Sequence, residues 1–444
     1  MNKRFAAAAM ALLMMTGCST FDDIFSSGSG VKDKLPGERI SVMQLERALE
    51  ADPRIANQQV VLPPPYVNPD WPEPGGYADN VMHHLQVSGN LDELWSSNGG
   101  AGSSSDTQLA TTPIVADGRV YLLDAEATVR AFDMNTGDNL WTVELTPEDQ
   151  SSEEGRGGGV AYEGGRIFVT TGFGDMVALE AASGSELWRS KVEVPFRAAP
   201  TASGGRVFSV TNDNQAIAFD ANTGRVLWRH RGITESAGIL ASTSPAVSGS
   251  IVVIPYSSGE VFALRVENGT ALWSDSLTRT GNLSSITELN DIAGRPVIDR
   301  GRAYAISHSG RIVSIDMRTG ERVWTRNIAG VQTPWIAGSF LFLVTTEAEV
   351  AALSLRDGRI RWITKLQKFR NEEARKDPIQ WSGPVLAGDR LVLTSSLGDA
   401  VSVSPYTGEV LGKIELSGGV YIPPVVAQET LYIVTDSAEL IALR

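Results

Sequence analysis

Chemistry in this chain would have to run through very few residues. Four histidines and one cysteine stand among 444 amino acids. His83 and His84 are adjacent, but no Cys or carboxylate cluster accompanies them at ligand spacing, so they read as ordinary loop histidines. His230 and His308 stand alone. No Gly-x-Ser-x-Gly and no His-Glu-x-x-His occurs, so neither a nucleophile elbow nor a zinc helix is present. The run Gly155-Arg156-Gly157-Gly158-Gly159 is not followed by Gly-Lys-Ser/Thr and opens no helix, which argues against a phosphate cradle. The sequence therefore assigns no catalytic residue, no metal ligand and no cofactor.

Cys18 carries a different chemistry. Residues 1–17 place Lys3 and Arg4 ahead of an apolar run from Phe5 to Met15, the pattern of a secretory signal too short to span a bilayer. Met15-Thr16-Gly17-Cys18 then matches a bacterial lipobox, in which the cysteine is acylated and becomes the mature N-terminus. Ser19 behind it favours the outer membrane as destination, so the expected location is the periplasmic face of a Gram-negative outer membrane. The net charge of −14 argues against nucleic acid as partner, since phosphate binding needs clustered Lys and Arg.

The rest of the chain is written as a repeat. A turn Gly is followed four positions later by Trp in Gly137/Trp141, Gly184/Trp188, Gly224/Trp228, Gly269/Trp273, Gly320/Trp324 and Gly358/Trp362; at Gly408 the Trp position is Gly412. Pro113, Pro200, Pro245, Pro296, Pro334 and Pro384 each stand 24 residues ahead of the turn Gly, and Val160 takes that place in the second copy. Between these marks the text alternates with period two, as in RVYLLD and TVRAFD, which predicts about four short half-buried strands per unit. Units of this size predict an all-β propeller. An eighth copy begins at Pro424 and stops at Arg444, one strand short. Leu94-Trp95 has no unit of its own, so residues near 91–96 are expected to complete the last of eight blades. The recurrent indoles could stack on a flat quinone, but one per unit at a fixed offset suits packing between blades. Trp95, Trp141, Trp188, Trp228, Trp273, Trp324 and Trp362 are read as that structural motif. Trp335 and Trp381 fall outside it and are candidate rim anchors.

Domain boundaries follow: 1–17 signal peptide, 18–90 lipidated tether and Pro-rich tail, 91–444 propeller. Residues 19–37 are polar and Ser/Gly-rich. A short helix is expected at 41–50, opened by Ser41 with Gln44 as a capping box. The Pro-rich stretch 60–76 is extended and is expected to lie along the propeller with Trp71, docking of a partner being the alternative. All connections from one unit's Trp to the next unit's first strand run to one face, and 142–159, 274–294 and 363–383 are the long ones. Lys365, Lys368, Arg370, Arg375 and Lys376 crowd the last of these, interleaved with Glu372, Glu373 and Asp377, and read as a solvated segment.

The Ala-h-Asp-x-x-Thr-Gly-x-x-x-Trp core, seen whole in residues 131–141, resembles the quinoprotein-type propeller repeat across 91–444. Within it the pyrroloquinoline-quinone dehydrogenases imply a Ca²⁺ site, a catalytic Asp and adjacent paired cysteines, and this chain departs from them on the cysteines. The complete plan of signal, lipobox, tether and eight blades resembles the BamB family of outer-membrane barrel-assembly lipoproteins, and 60–76 is similar to the longer N-terminal region of α-proteobacterial members. That resemblance implies a non-enzymatic scaffold of the Bam complex without cofactor. Its implied partners are the periplasmic domains of BamA, other Bam subunits and unfolded outer-membrane proteins. It also implies contact residues: Arg197 just before the Ala-Pro-Thr strand start, Phe196 as its apolar neighbour, and Asp291 ahead of a later blade. The second acid that the family pattern expects two residues on is Ala293 here. A quinone-dependent dehydrogenase and a general periplasmic peptide or glycan binder are the alternatives.

Overall fold

The computed structural model describes residues 49–235, 243–278 and 290–444. The signal 1–17, Cys18, the tether 19–37 and the expected helix 41–50, except its last two residues, lie outside them. Leu49–Arg444 forms one compact unit.

Eight four-stranded antiparallel sheets build it, as the repeats predicted. Blade 1 runs from Ile114–Ala116 through Arg119–Leu123 and Thr128–Asp133 to Asn139–Glu144. Blades 2 to 7 repeat this order from innermost strands that begin at Gly158, Thr201, Ala246, Val297, Trp335 and Trp381. Blade 8 takes Val425–Ala427, Thr430–Val434 and Glu439–Leu443, and its fourth strand is Glu93–Asn98 from the other end of the chain. Trp95 lies opposite Ala442 in that pairing, so the ring closes by joining the two ends. Closure removes two free sheet edges.

The repeated Trp locks each blade to its successor. Its Nε1–H donates to a turn carbonyl of the next blade: Trp95 to Met134 (3.2 Å), Trp141 to Ala181 (3.1 Å), Trp188 to Ala221 (3.1 Å), Trp228 to Val266 (2.9 Å), Trp273 to Met317 (2.8 Å), Trp324 to Leu355 (2.9 Å) and Trp362 to Pro405 (3.1 Å). The receiving turn must be Gly for two reasons. At Gly269 φ is +71°, and a Cβ there would stand 2.7 Å from the Trp228 ring. Within its own blade the Trp faces a small residue at a register shift, Ala131 for Trp141 and Ala352 for Trp362, which leaves room for the indole.

The inner edges of the ring are met by the chain itself. Each innermost strand turns one edge to the axis, where backbone groups need partners. The tail supplies them in order around the ring. Trp71 exchanges backbone bonds with Val115 in blade 1; the carbonyl of Pro72 accepts from Tyr162 in blade 2, and Glu73 Oε1 from the Ala202 N–H in blade 3. The carbonyls of Ala78 and Asp79 accept from Val247 and Ile298 in blades 4 and 5, and that of His83 from Trp335 Nε1 in blade 6. Leu85 pairs with Leu386 and Gly388 in blade 7, while Asn68 and Ser88 meet Gln428 and Glu429 in blade 8. The tail is a belt inside the ring, on the face of the turn glycines. His84 is part of it: Nδ1 donates to the Pro63 carbonyl (2.8 Å) and Nε2 accepts from the Asp389 N–H (3.2 Å), so both ring nitrogens are used in holding the belt to blade 7. Trp71 stacks on Trp335 (6.2 Å, 26°), which makes Trp335 a buried seat for the belt. Trp381 is buried too, its Nε1 bonded to the Gln367 carbonyl (2.9 Å).

Two outcomes are expected. Trp228→Ala removes a buried indole and its bond to Val266 and should lower the unfolding free energy by about 3–5 kcal/mol, whereas Gly412→Ala, at the position with no clamp, should stay within about 0.5 kcal/mol; urea unfolding followed by circular dichroism distinguishes them. Glu73 is the second. Its Oε2 is buried without a hydrogen-bond partner, and burial, with Glu163 nearby, pushes its carboxyl well above the ordinary carboxylate range. The unfolded chain then loses this proton first as pH rises, so Glu73 withdraws stability above its unfolded pKa until the folded group ionises. Glu73→Gln should therefore gain stability relative to wild type as pH climbs above about 4.5, measured by denaturant midpoints at increasing pH. A difference that stays flat with pH would refute the assignment.

Candidate functional site

The residues one position before the repeat's Pro (Val160 in blade 2), at or near the start of each innermost strand, surround the axis. They are small in every blade but one: Thr112, Gly159, Ala199, Ser244, Thr333, Gly383 and Pro423 against Arg295 in blade 5. Arg295 reaches across to the opposite blade, where its Nη2 donates to Thr112 Oγ1 (2.8 Å), and burial lowers its guanidinium to about 9. The axis is thus filled by a side chain from the ring and, on the belt face, by Trp71 and Trp335.

Nearer the loop face, the structure brings Arg197 and Asp291 together. Arg197 Nη2 donates to Asp291 Oδ1 at 2.8 Å, with both residues buried. The pair ties the connection entering blade 3 to the one entering blade 5, 94 residues apart. Local geometry holds each end: the Arg197 and Ala198 N–H groups both donate to the Val210 carbonyl, and the Asp291 carbonyl accepts from the His308 N–H. Phe196 is fully buried against Phe219 (6.2 Å). In this conformation the three expected contact residues lie beneath the loop surface. A charge pair at this depth is strongly coupled, because either partner alone would be left in low dielectric.

The loop face above them is irregular. Ser104, Thr107, Arg156, Gln380, Tyr421 and Asp436 line a polar cleft of about 320 Å³. The basic segment forms an exposed hairpin, Phe369–Asn371 with Lys376–Pro378, in which Lys368 and Arg375 flank the Phe369 ring at 5.4 and 5.8 Å. His230 is taken up between Tyr256 and Phe262, its Nδ1 2.8 Å from the Tyr256 hydroxyl. Among the described residues no three His, Cys, Asp or Glu side chains converge to hold a metal ion. Every motif indole is engaged in an interblade clamp, so none is placed to stack on a flat cofactor. Arg295 is the site residue the reading from sequence passed over. Its signal was present, as the one long side chain in a register otherwise small.

These features define an eight-bladed propeller whose axis is occupied by Arg295 and, on the belt face, by Trp71 and Trp335. The chain belongs to the family of the outer membrane protein assembly factor BamB, whose model matches residues 92–155 and 126–364. BamB of Xanthomonas campestris pv. campestris is 34% identical over 278 residues, covering 61% of this chain and 68% of that one. The crystal structure of BamB from Moraxella catarrhalis superposes with a TM-score of 0.66 at 18% identity, over 80% of this chain and 99% of that chain. The quinohemoprotein alcohol dehydrogenase from Comamonas testosteroni shares the fold, with a TM-score of 0.65 at 14% identity over 84% of this chain and 80% of that one.

If the buried pair holds the loops, Arg197→Ala should destabilise the protein by about 3–5 kcal/mol, and Arg197→Met combined with Asp291→Leu should recover most of the loss. Thermal unfolding of the three proteins decides it; a double variant no better than the single one would mean the pair is not the strut.

Proposed function

We propose that this protein is a non-enzymatic periplasmic scaffold of the outer-membrane barrel-assembly machinery, held to the membrane through acylated Cys18. Its loop face binds the periplasmic domains of BamA and helps present unfolded barrel precursors for insertion. Membership in the BamB family is the observation that carries this reading. The geometry supports it in two ways. The belt occupies the other face and the axis, which leaves the loop face for a partner. Arg197, Asp291 and Phe196 set the height and spacing of the loops from beneath, so a substitution there would act on the partner through the loops.

Direct association of the chain from Ser19 onward with isolated BamA periplasmic domains tests the proposal. Wild type should bind. Arg156→Ala with Tyr421→Ala, in the cleft, should weaken binding about tenfold or more with unchanged unfolding, as expected for an anchor pair near the centre of an interface. Absence of wild-type binding would overturn the scaffold reading. Intact binding by the cleft variant would move the contact elsewhere on the loop face.

A further inference from the structure

The belt fills its face of the ring, but one stretch of the belt itself stays open to solvent. Val60 is buried before that stretch, and Asn68, Trp71 and Glu73 are buried after it. Between them, 61–67 reads Val-Leu-Pro-Pro-Pro-Tyr-Val, and Leu62 alone packs against the core. Pro63, Pro64 and Pro65 are exposed, while Val61, Tyr66 and Val67 are 63%, 37% and 45% exposed. A contiguous uncharged, apolar surface of this kind marks an interaction site.

The exposed stretch is held in place. The Pro63 carbonyl accepts from His84 Nδ1 (2.8 Å), and the Tyr66 N–H donates to the His84 carbonyl (3.1 Å). The Tyr66 carbonyl accepts from the Gln86 N–H (2.8 Å), and the Tyr66 hydroxyl donates to the Met82 carbonyl (3.1 Å). Each proline fixes its own φ, and Leu62, Pro63 and Pro64, which each precede a proline, are confined to extended backbone. The segment is therefore a polyproline-type strand before any partner arrives, and binding would cost it little ordering entropy.

Its chemistry narrows the partner. Pro63, Pro64 and Pro65 carry no N–H, so the stretch cannot take up a partner strand by β-addition. Residues 55–70 contain no Lys or Arg, so they offer no cation to an anionic lipid surface. They offer three pyrrolidine faces beside a phenol ring, and the Pro64 and Pro65 carbonyls accept no bond among the described residues. The complement of such a surface is a groove of aromatic rings, which stack on pyrrolidine and donate an indole N–H or phenol O–H to the carbonyls. We propose that residues 61–67 are a preformed polyproline-type ligand for a partner domain whose groove is lined with aromatic side chains. The stretch crosses the belt face, past Gly338 and His84, so this contact is separate from the loop face and independent of BamA binding.

The run 63–66 spells Pro-Pro-Pro-Tyr, so an isolated WW domain that reads Pro-Pro-x-Tyr in a groove of Tyr and Trp rings serves as probe. The full chain, expressed without acylation, is titrated into the isotope-labelled domain, beside the free peptide 57–70. The groove resonances should shift saturably, and the full chain should bind at least as tightly as the peptide, because its segment is already extended. Pro64→Ala with Pro65→Ala should weaken binding about tenfold or more at unchanged thermal unfolding. No binding by the full chain, or binding weaker than the peptide's, would overturn the proposal, since the segment would then have to peel from the ring to be read. Undiminished binding by the double variant would overturn it as well. So would a Val61→Ser, Val67→Ser variant that loses self-association, or loses retention on phosphatidylethanolamine–phosphatidylglycerol vesicles, seen in wild type, since a second copy or a lipid surface would then be the occupant.

Discussion

The contact on which the ring depends is an indole laid on a glycine turn. Each clamp reaches forward: the ring belongs to one blade, and the carbonyl and the Cβ-free surface belong to the next. The distance from the first strand to the Trp must therefore be held, because an extra residue would lift the indole off its carbonyl or flip it to the opposite sheet face. Insertions are free only in the connections that leave the Trp strand, and all of those lie on the other face. Structural rigidity and functional variation are separated by the same contact. It also explains why the fourth strand of blade 8 must bring Trp95 with it, since without that ring blade 1 would have no lock on its predecessor.

A closed ring solves its outer edges and leaves its inner ones. Eight innermost strands facing an axis expose backbone donors that water in a narrow channel would satisfy poorly. The belt from Asn68 to Ser88 meets them one blade at a time, with Pro-rich backbone that offers carbonyls and needs few partners of its own. Arg295 fills the axis above it. The fold is shared with a quinohemoprotein alcohol dehydrogenase, and here Arg295 and the stacked Trp71 and Trp335 occupy the axis.

Much of this was legible in the sequence because it is periodic. Strand number, blade number and the closing strand all follow from Pro, Gly and Trp at fixed intervals. The position of the tail was only half legible. Its composition said extended, but its hydrogen bonds are backbone bonds, and backbone carbonyls leave no mark in residue identity. The Arg197–Asp291 bond was not legible at all. Both residues were singled out, each as a surface contact, and nothing in a linear text indicates that positions 94 apart meet across the ring below the surface. The basic segment 365–377 did read as solvated, although the alternation that makes it a hairpin is too short to stand out.

That burial changes what such residues can do. A guanidinium and a carboxylate that hold each other in low dielectric gain little from an approaching partner, since the partner would first have to break a bond formed without water. They tie two loops together instead, because pulling either charge away would leave the other unpaired in low dielectric. A partner that reads the spacing of those loops would be sensitive to the pair without touching it. Sensitivity to substitution and direct contact are therefore different properties. Under the proposed loop-face recognition, the buried residues that set the loops apart would stand as close to function as the exposed ones.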